Sequence, residues 1–233
     1  MSNAVATAVA DPEREREPVP LAHHFDDAEQ QHESATLGMW AFLATEVMFF
    51  GGVLTAYTVF RVLYPKEFAA ASHHGLNLWI GAFNTLVLLG SSLAVALAVH
   101  ASQSRQRRAT VGYLLLTIVL GASFLGIKAY EYSLEFRENL FPGPGFSFEH
   151  HAAGLDVRRV ELFFFLYFFM TSLHALHMII GLAIIGIIAA AIWLRKLPAT
   201  GERQVEITGL YWHFVDVVWV FLYPLLYLIH THA

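Results

Sequence analysis

The run Leu162-Phe-Phe-Phe-Leu-Tyr-Phe-Phe-Met-Thr-Ser-Leu-His-Ala-Leu-His-Met-Ile-Ile-Gly-Leu-Ala-Ile-Ile-Gly-Ile-Ile-Ala-Ala-Ala-Ile-Trp-Leu194 decides the fold. It holds 33 residues and no Asp, Glu, Lys or Arg. A bilayer core about 30 Å thick needs roughly 20 apolar residues of helix. This run exceeds that, so the helix is expected to tilt or to protrude. Four further stretches read the same way: Ala35–Phe60, Leu76–Val99, Ala109–Ile127 and Ile207–Ile229. Only Glu46 and Asp216 are charged within the five. Lipid offers no hydrogen-bond partners, so each span must satisfy its own backbone, as a helix does. The fold expected is an all-α integral membrane bundle of five transmembrane helices.

Composition excludes the alternatives. Of 233 residues, 56% are apolar and 14% charged, against about 25% charged in a soluble domain. Disorder needs the opposite balance. Cysteine is absent, which removes disulfides, thiolate metal sites and thiol nucleophiles. A net charge of −5 argues against a nucleic-acid partner.

Two regions follow. Residues 1–34, with Asp11-Pro-Glu-Arg-Glu-Arg-Glu-Pro18, read as a polar arm, disordered or lying on the surface, without the apolar stretch of a signal peptide. Residues 35–233 form the membrane domain. With five spans, one side carries eight basic residues, among them Arg105, Arg107, Arg108, Arg195 and Arg203, and the other side five. The excess places the N-terminus in the cytoplasm and the C-terminus outside. The outer loop Ser133–Glu161 contains Phe141-Pro-Gly-Pro-Gly145, which must turn. No repeat of fixed period is visible.

Polar groups within the spans carry the functional question. Glu46 has Phe42, Phe49 and Phe50 on its helical face and no basic residue within a turn. An ionised carboxylate is costly there. It reads either as a proton-handling group facing the bundle interior or as a carboxyl hydrogen-bonded to another helix. His213 and Asp216 are three apart and share a face that Trp219 continues, with Glu206 two turns earlier. A His–Asp pair can share a proton and so be buried with no catalytic role. His174 and His177 could ligate a metal or haem with help from His213, but one helix alone makes an incomplete set. Interhelical hydrogen bonding is the commoner use of such histidines. Lys128 and Glu131 end the third span, where a snorkelling pair at the outer interface is expected. Asn84, Thr85, Ser91 and Ser92, with the glycines at 51, 52, 121, 126, 181 and 186, read as helix-packing surfaces.

Taken in order, these segments resemble subunit III of the haem–copper oxidases, such as cytochrome c oxidase. The matching pieces are Leu37-Gly-Met-Trp-Ala-Phe-Leu-Ala-Thr-Glu46-Val-Met-Phe-Phe-Gly51, Phe83-Asn-Thr-Leu-Val-Leu-Leu-Gly-Ser-Ser92 and Lys128-Ala-Tyr-Glu131-Tyr132. They continue with His174-Ala-Leu-His177-Met-Ile-Ile-Gly181 and Tyr211-Trp-His-Phe-Val-Asp-Val-Val-Trp219-Val-Phe-Leu-Tyr223. The resemblance implies a multi-pass subunit of the bacterial inner membrane with no catalytic centre, haem or metal of its own. Haem and copper belong to its partners: subunit I, which reduces oxygen and pumps protons, and other subunits such as subunit II. It implies support of proton uptake by subunit I, bound phospholipid, and a place in a respiratory supercomplex. Glu46 matches the family's buried acid. Glu131, His174, His177, Glu206, His213, Asp216 and Trp219 match positions of structural motifs. Two features depart from the pattern. The two helices that open longer members are absent, and Ser172-Leu-His-Ala-Leu-His177 is bulkier than the usual Gly-Phe-His-Gly-Leu-His. Thr45-Glu46 stands where ubiquinol-oxidase relatives tend to have Ser-Asp, which favours cytochrome c as donor. The alternatives are a quinol-oxidase or nitric-oxide-reductase-associated homologue, a proton-coupled transporter, and a haem-carrying electron-transfer protein.

Overall fold

The computed structural model describes residues 28–148, 154–195, 197 and 202–228. Six helices make up the fold: α1 (Ala28–Leu63), α2 (Pro65–Gly75), α3 (Leu78–Gln103), α4 (Arg107–Arg137), α5 (Val157–Trp193) and α6 (Glu202–Tyr227). All except α2 are long and apolar enough to cross a membrane. The five expected spans are therefore present, and no strand occurs among the described residues.

Helices α3, α5 and α6 differ from the expected spans by up to five residues at an end, and three larger differences bear on the fold. The first helix starts at Ala28, inside the expected polar arm, whose residues 1–27 lie outside the described set. The loop after it folds into α2, with Pro65 in its first turn where the missing N–H costs nothing. The fourth helix runs ten residues beyond Ile127 to Arg137, because the polar residues there find partners inside the bundle. The Phe141–Gly145 segment turns as expected, with Gly143 at φ 145 and its N–H donating to Glu161 (2.9 Å).

Helices α3, α4, α5 and α6 pack in a closed ring. Helix α1 leans on this ring mainly through α6. Only 11% of its most apolar window is buried, against 33–50% for the other spans. The outer faces are apolar, with Trp79, Phe83, Ile187 and Phe221 all exposed, as suits a surface facing lipid. Trp212 sits at the centre. A Cβ on Gly121 or on Gly181 would come within 2.9 Å of its ring, so these two glycines give the indole its slot. By contrast Gly51, Gly52, Gly126 and Gly186, also expected at packing surfaces, have nothing near them. The α3 hydroxyls do face the ring: Trp212 Nε1 donates to Ser91 (3.1 Å) and Trp219 Nε1 to Thr85 (3.0 Å).

Helix ends are closed by their own cap residues and by side chains from neighbouring elements. Asn77 Oδ1 accepts from the N–H groups of Trp79 and Ile80, and Asp156 from that of Arg158. At the end of α6, the carbonyl of Leu225 accepts from Tyr57 (2.6 Å) and that of Leu226 from Ser72 (2.7 Å). The Arg107 guanidinium donates to the carbonyls of Ile192 and Trp193, the last of α5.

Gly181→Ala is expected to destabilise the chain by about 1–3 kcal/mol, because the methyl overpacks against the Trp212 indole. Gly186→Ala, on the same helix but in open space, should be at least as stable as the original, since alanine favours the helix. Denaturant unfolding in micelles, followed by tryptophan fluorescence, compares the two.

Candidate functional site

Two clusters of polar side chains lie within the spans, and they differ in kind. The first joins α1 to α5. Glu46 Oε2 lies 3.2 Å from His177 Nε2, and their side chains are 17% and 12% exposed. The other ring nitrogen, Nδ1, is 2.9 Å from the carbonyl of Leu173. A carbonyl only accepts, so Nδ1 carries a hydrogen. A neutral imidazole then offers a bare Nε2, which a protonated Glu46 satisfies. A doubly protonated imidazole instead meets a carboxylate. Either way one proton is shared between Oε2 and Nε2. Phe50 packs edge-on to the imidazole at 5.2 Å. Tyr211 donates to the carbonyl of His177 (3.0 Å), which ties α6 to the same point.

The second cluster is buried between α4, α5 and α6. Lys128 Nζ donates to Glu131 Oε2 (2.8 Å), Tyr167 Oη (3.0 Å) and Tyr227 Oη (2.9 Å). These use all three of its hydrogens. Tyr167 passes its own hydrogen to Glu135 (2.7 Å), and Tyr227 passes its own to Glu131 (2.7 Å). The rings of Tyr132, Tyr167, Trp219 and Tyr227 face the ammonium at 5.0–5.5 Å. Lys128 and Glu131 are 5% and 3% exposed, so the expected snorkelling pair is a buried one. The lysine turns inward because three acceptors and four aromatic faces replace its water.

The remaining candidates scatter. His174 packs against Trp219 (5.1 Å) and Phe124 (5.5 Å), and neither of its nitrogens has a hydrogen-bond partner among the described residues. The expected His213–Asp216 pair does not form. His213 Nδ1 turns to Ser92 on α3 (2.8 Å), and the same hydroxyl lies close to the buried carboxyl of Asp216, which makes no well-aligned hydrogen bond among the described residues. Sharing a helical face placed the two together, but a hydroxyl on the adjacent helix offered the imidazole a better-directed bond. Glu206 is exposed near the start of α6. The three histidines thus sit in three different surroundings, and the described residues contain no group of three or more His, Cys, Asp or Glu side chains able to hold a metal.

Glu135, Tyr167 and Tyr227 were not singled out from the sequence. A signal existed for the first: residues 128, 131 and 135 follow the i, i+3, i+7 spacing of one helical face. The tyrosines come from other helices and carry no such mark.

Comparison with known proteins adds the following. The family described as cytochrome c oxidase subunit III matches residues 22–137 and 148–231. A cytochrome c oxidase subunit 3 from Alkalihalophilus pseudofirmus is 30% identical over 210 residues, covering 89% of this chain and 93% of the relative. One from Thermostichus vulcanus is 29% identical over 208 residues, 88% of this chain and 92% of the relative. A cytochrome bo(3) ubiquinol oxidase subunit 3 from Pseudomonas aeruginosa is 26% identical over 210 residues, 89% and 91% respectively.

Removing the cation from the second cluster should be costly. Lys128→Met is expected to destabilise the chain by about 3–5 kcal/mol, since it leaves a buried carboxylate without its partner. Adding Glu131→Gln should recover part of the loss. Thermal unfolding of the single and double variants in the same detergent checks both.

Proposed function

This chain belongs to the cytochrome c oxidase subunit III family, and on that premise we propose that it is a redox-silent accessory subunit of a haem–copper terminal oxidase. It is a multi-pass membrane protein, and the complex it joins carries out the oxygen chemistry. Its partners in this reading are subunit I, which holds haem and copper, and other oxidase subunits such as subunit II. Its interfaces stabilise subunit I, and it supports proton uptake there. Bound phospholipid and a wider respiratory assembly belong to the same reading.

The observation that carries the proton role is the Glu46–His177 pair. It holds one exchangeable proton between two helices, at a point of partial exposure, and it lies on the helix least enclosed by its own bundle. No electron carrier is needed for such a task. The dispersal of His174, His177 and His213 supports the redox-silent reading over a haem-carrying protein. Transporter folds commonly break their helices at the binding site. Here each described span is continuous, and its internal proline, Pro224, falls in the last turn of α6. The electron donor is read as cytochrome c from Thr45-Glu46. A quinol donor is the second reading, and similarity to a ubiquinol oxidase subunit keeps it in view.

Glu46→Gln retains a hydrogen bond to His177 and removes the titratable group. The assembled oxidase should form in normal amount, because the amide can still donate to Nε2, and even complete loss of that bond would cost only about 1 kcal/mol. Proton pumping per electron, or the number of turnovers before inactivation, should fall modestly. Unchanged values for both in purified complex would remove Glu46 from the proton role. Gentle purification of a tagged chain should bring down a large haem–copper subunit, and the donor that reduces that complex distinguishes cytochrome c from quinol.

A further inference from the structure

The oxidase reading includes bound phospholipid without locating it, and the basic end of the bundle offers a place for one. Arg107 is occupied: its guanidinium holds the carbonyls of Ile192 and Trp193 and so clamps the start of α4 to the end of α5. That clamp gathers three other arginines. Arg105 precedes it by two residues, Arg108 follows it, and Arg195 lies two residues beyond Trp193. All three are exposed, and no hydrogen bond or ion pair engages their side chains among the described residues. The acids at this end, Glu202 and Glu206 on α6, are exposed and pair with none of them.

Local helix electrostatics account for part of this arrangement only. Arg105 and Arg195 stand just past the C-terminal ends of α3 and α5, where a cation is favoured. Arg108 stands in the first turn of α4, which has no acid and no side-chain cap, so the helix field repels it. An external anion would reverse that sign.

Beside the guanidiniums the surface turns apolar at once. Trp193 is 67% and Leu194 60% exposed. Below Arg108, Gly112, Leu115 and Val119 continue one exposed stripe along α4. Charge above an apolar strip is the complement of a lipid with an anionic headgroup. We propose that Arg105, Arg108 and Arg195 form a headgroup site for an anionic phospholipid, whose acyl chains lie along Trp193, Leu194 and the exposed stripe of α4. An acidic protein segment would match the cations but would leave the apolar strip beside them unexplained. The proposal rests on the chain spanning a membrane and is independent of any proton role.

The test uses the full chain in nanodiscs containing either dibrominated phosphatidylglycerol or dibrominated phosphatidylcholine at equal content. Subtracting the signal of a Trp193→Phe variant isolates quenching of Trp193. Each arginine near an anionic lipid favours it by about fivefold, so quenching by the phosphatidylglycerol should exceed that by the phosphatidylcholine at least about twofold. The preference should vanish in R105Q/R108Q/R195Q and persist in K66Q/R137Q, which removes two charges from the opposite end. Equal quenching by the two lipids in the unsubstituted chain overturns the proposal without need of the arginine variants. So does loss of the preference in K66Q/R137Q. The same measurement on the assembled oxidase should give the same preference. If neither lipid reaches Trp193 there, a protein surface covers it and the proposal fails.

Discussion

A bilayer interior supplies no hydrogen-bond partner, so every polar atom that enters it must bring its own. That requirement reaches well beyond the helical backbone. It explains why Tyr57 and Ser72 reach across to the last carbonyls of α6, and why Arg107 is spent on those of α5. It also explains why both central tryptophans donate to hydroxyls of α3. In water each of these ends could be left to solvent. Here the helix ends hold one another, and the bundle is knitted by polar bonds at its rim as well as by packing at its centre.

The same requirement sets what the Lys128 cluster can be. An isolated ammonium within the spans would cost several kcal/mol. Three acceptors and four aromatic faces offset that cost, and the two tyrosines link Glu131 and Glu135 to the ammonium through a chain of bonds. The result fixes α4, α5 and α6 relative to one another. Such a cluster gives register more than net stability, because a well-packed apolar core of the same volume could do as well energetically.

The number and approximate place of the spans were legible because charge is so unevenly distributed along the chain. So was Glu46 as the lone acid of the first expected span, which the structure sets against His177. Less legible was anything decided between helices. Lys128 sat at the edge of an apolar window, and only its tyrosine partners, 39 and 99 residues away, make its burial possible. His213 and Asp216 share a face on one helix, yet Ser92 on another took the histidine. Gly121 and Gly181 look like Gly126 and Gly186 in sequence, and only the position of Trp212 tells them apart. Periodicity reports which side a residue faces and is silent on what it will meet there.

The two buried clusters also differ in how easily each could change its proton. Around Lys128 every hydrogen of the ammonium and of both tyrosines is engaged. Removing one would break a bond and leave its acceptor unpaired at a depth where repair is costly. Between Glu46 and His177 a single hydrogen lies between one carboxyl oxygen and one ring nitrogen, and both side chains keep some exposure. Losing or regaining that hydrogen disturbs one contact on a loosely held helix. With every donor engaged the first cluster acts as a strut, although Glu135 Oε2 has no partner among the described residues. The second, open and singly bonded, is a contact that can give up or regain its hydrogen with less disturbance.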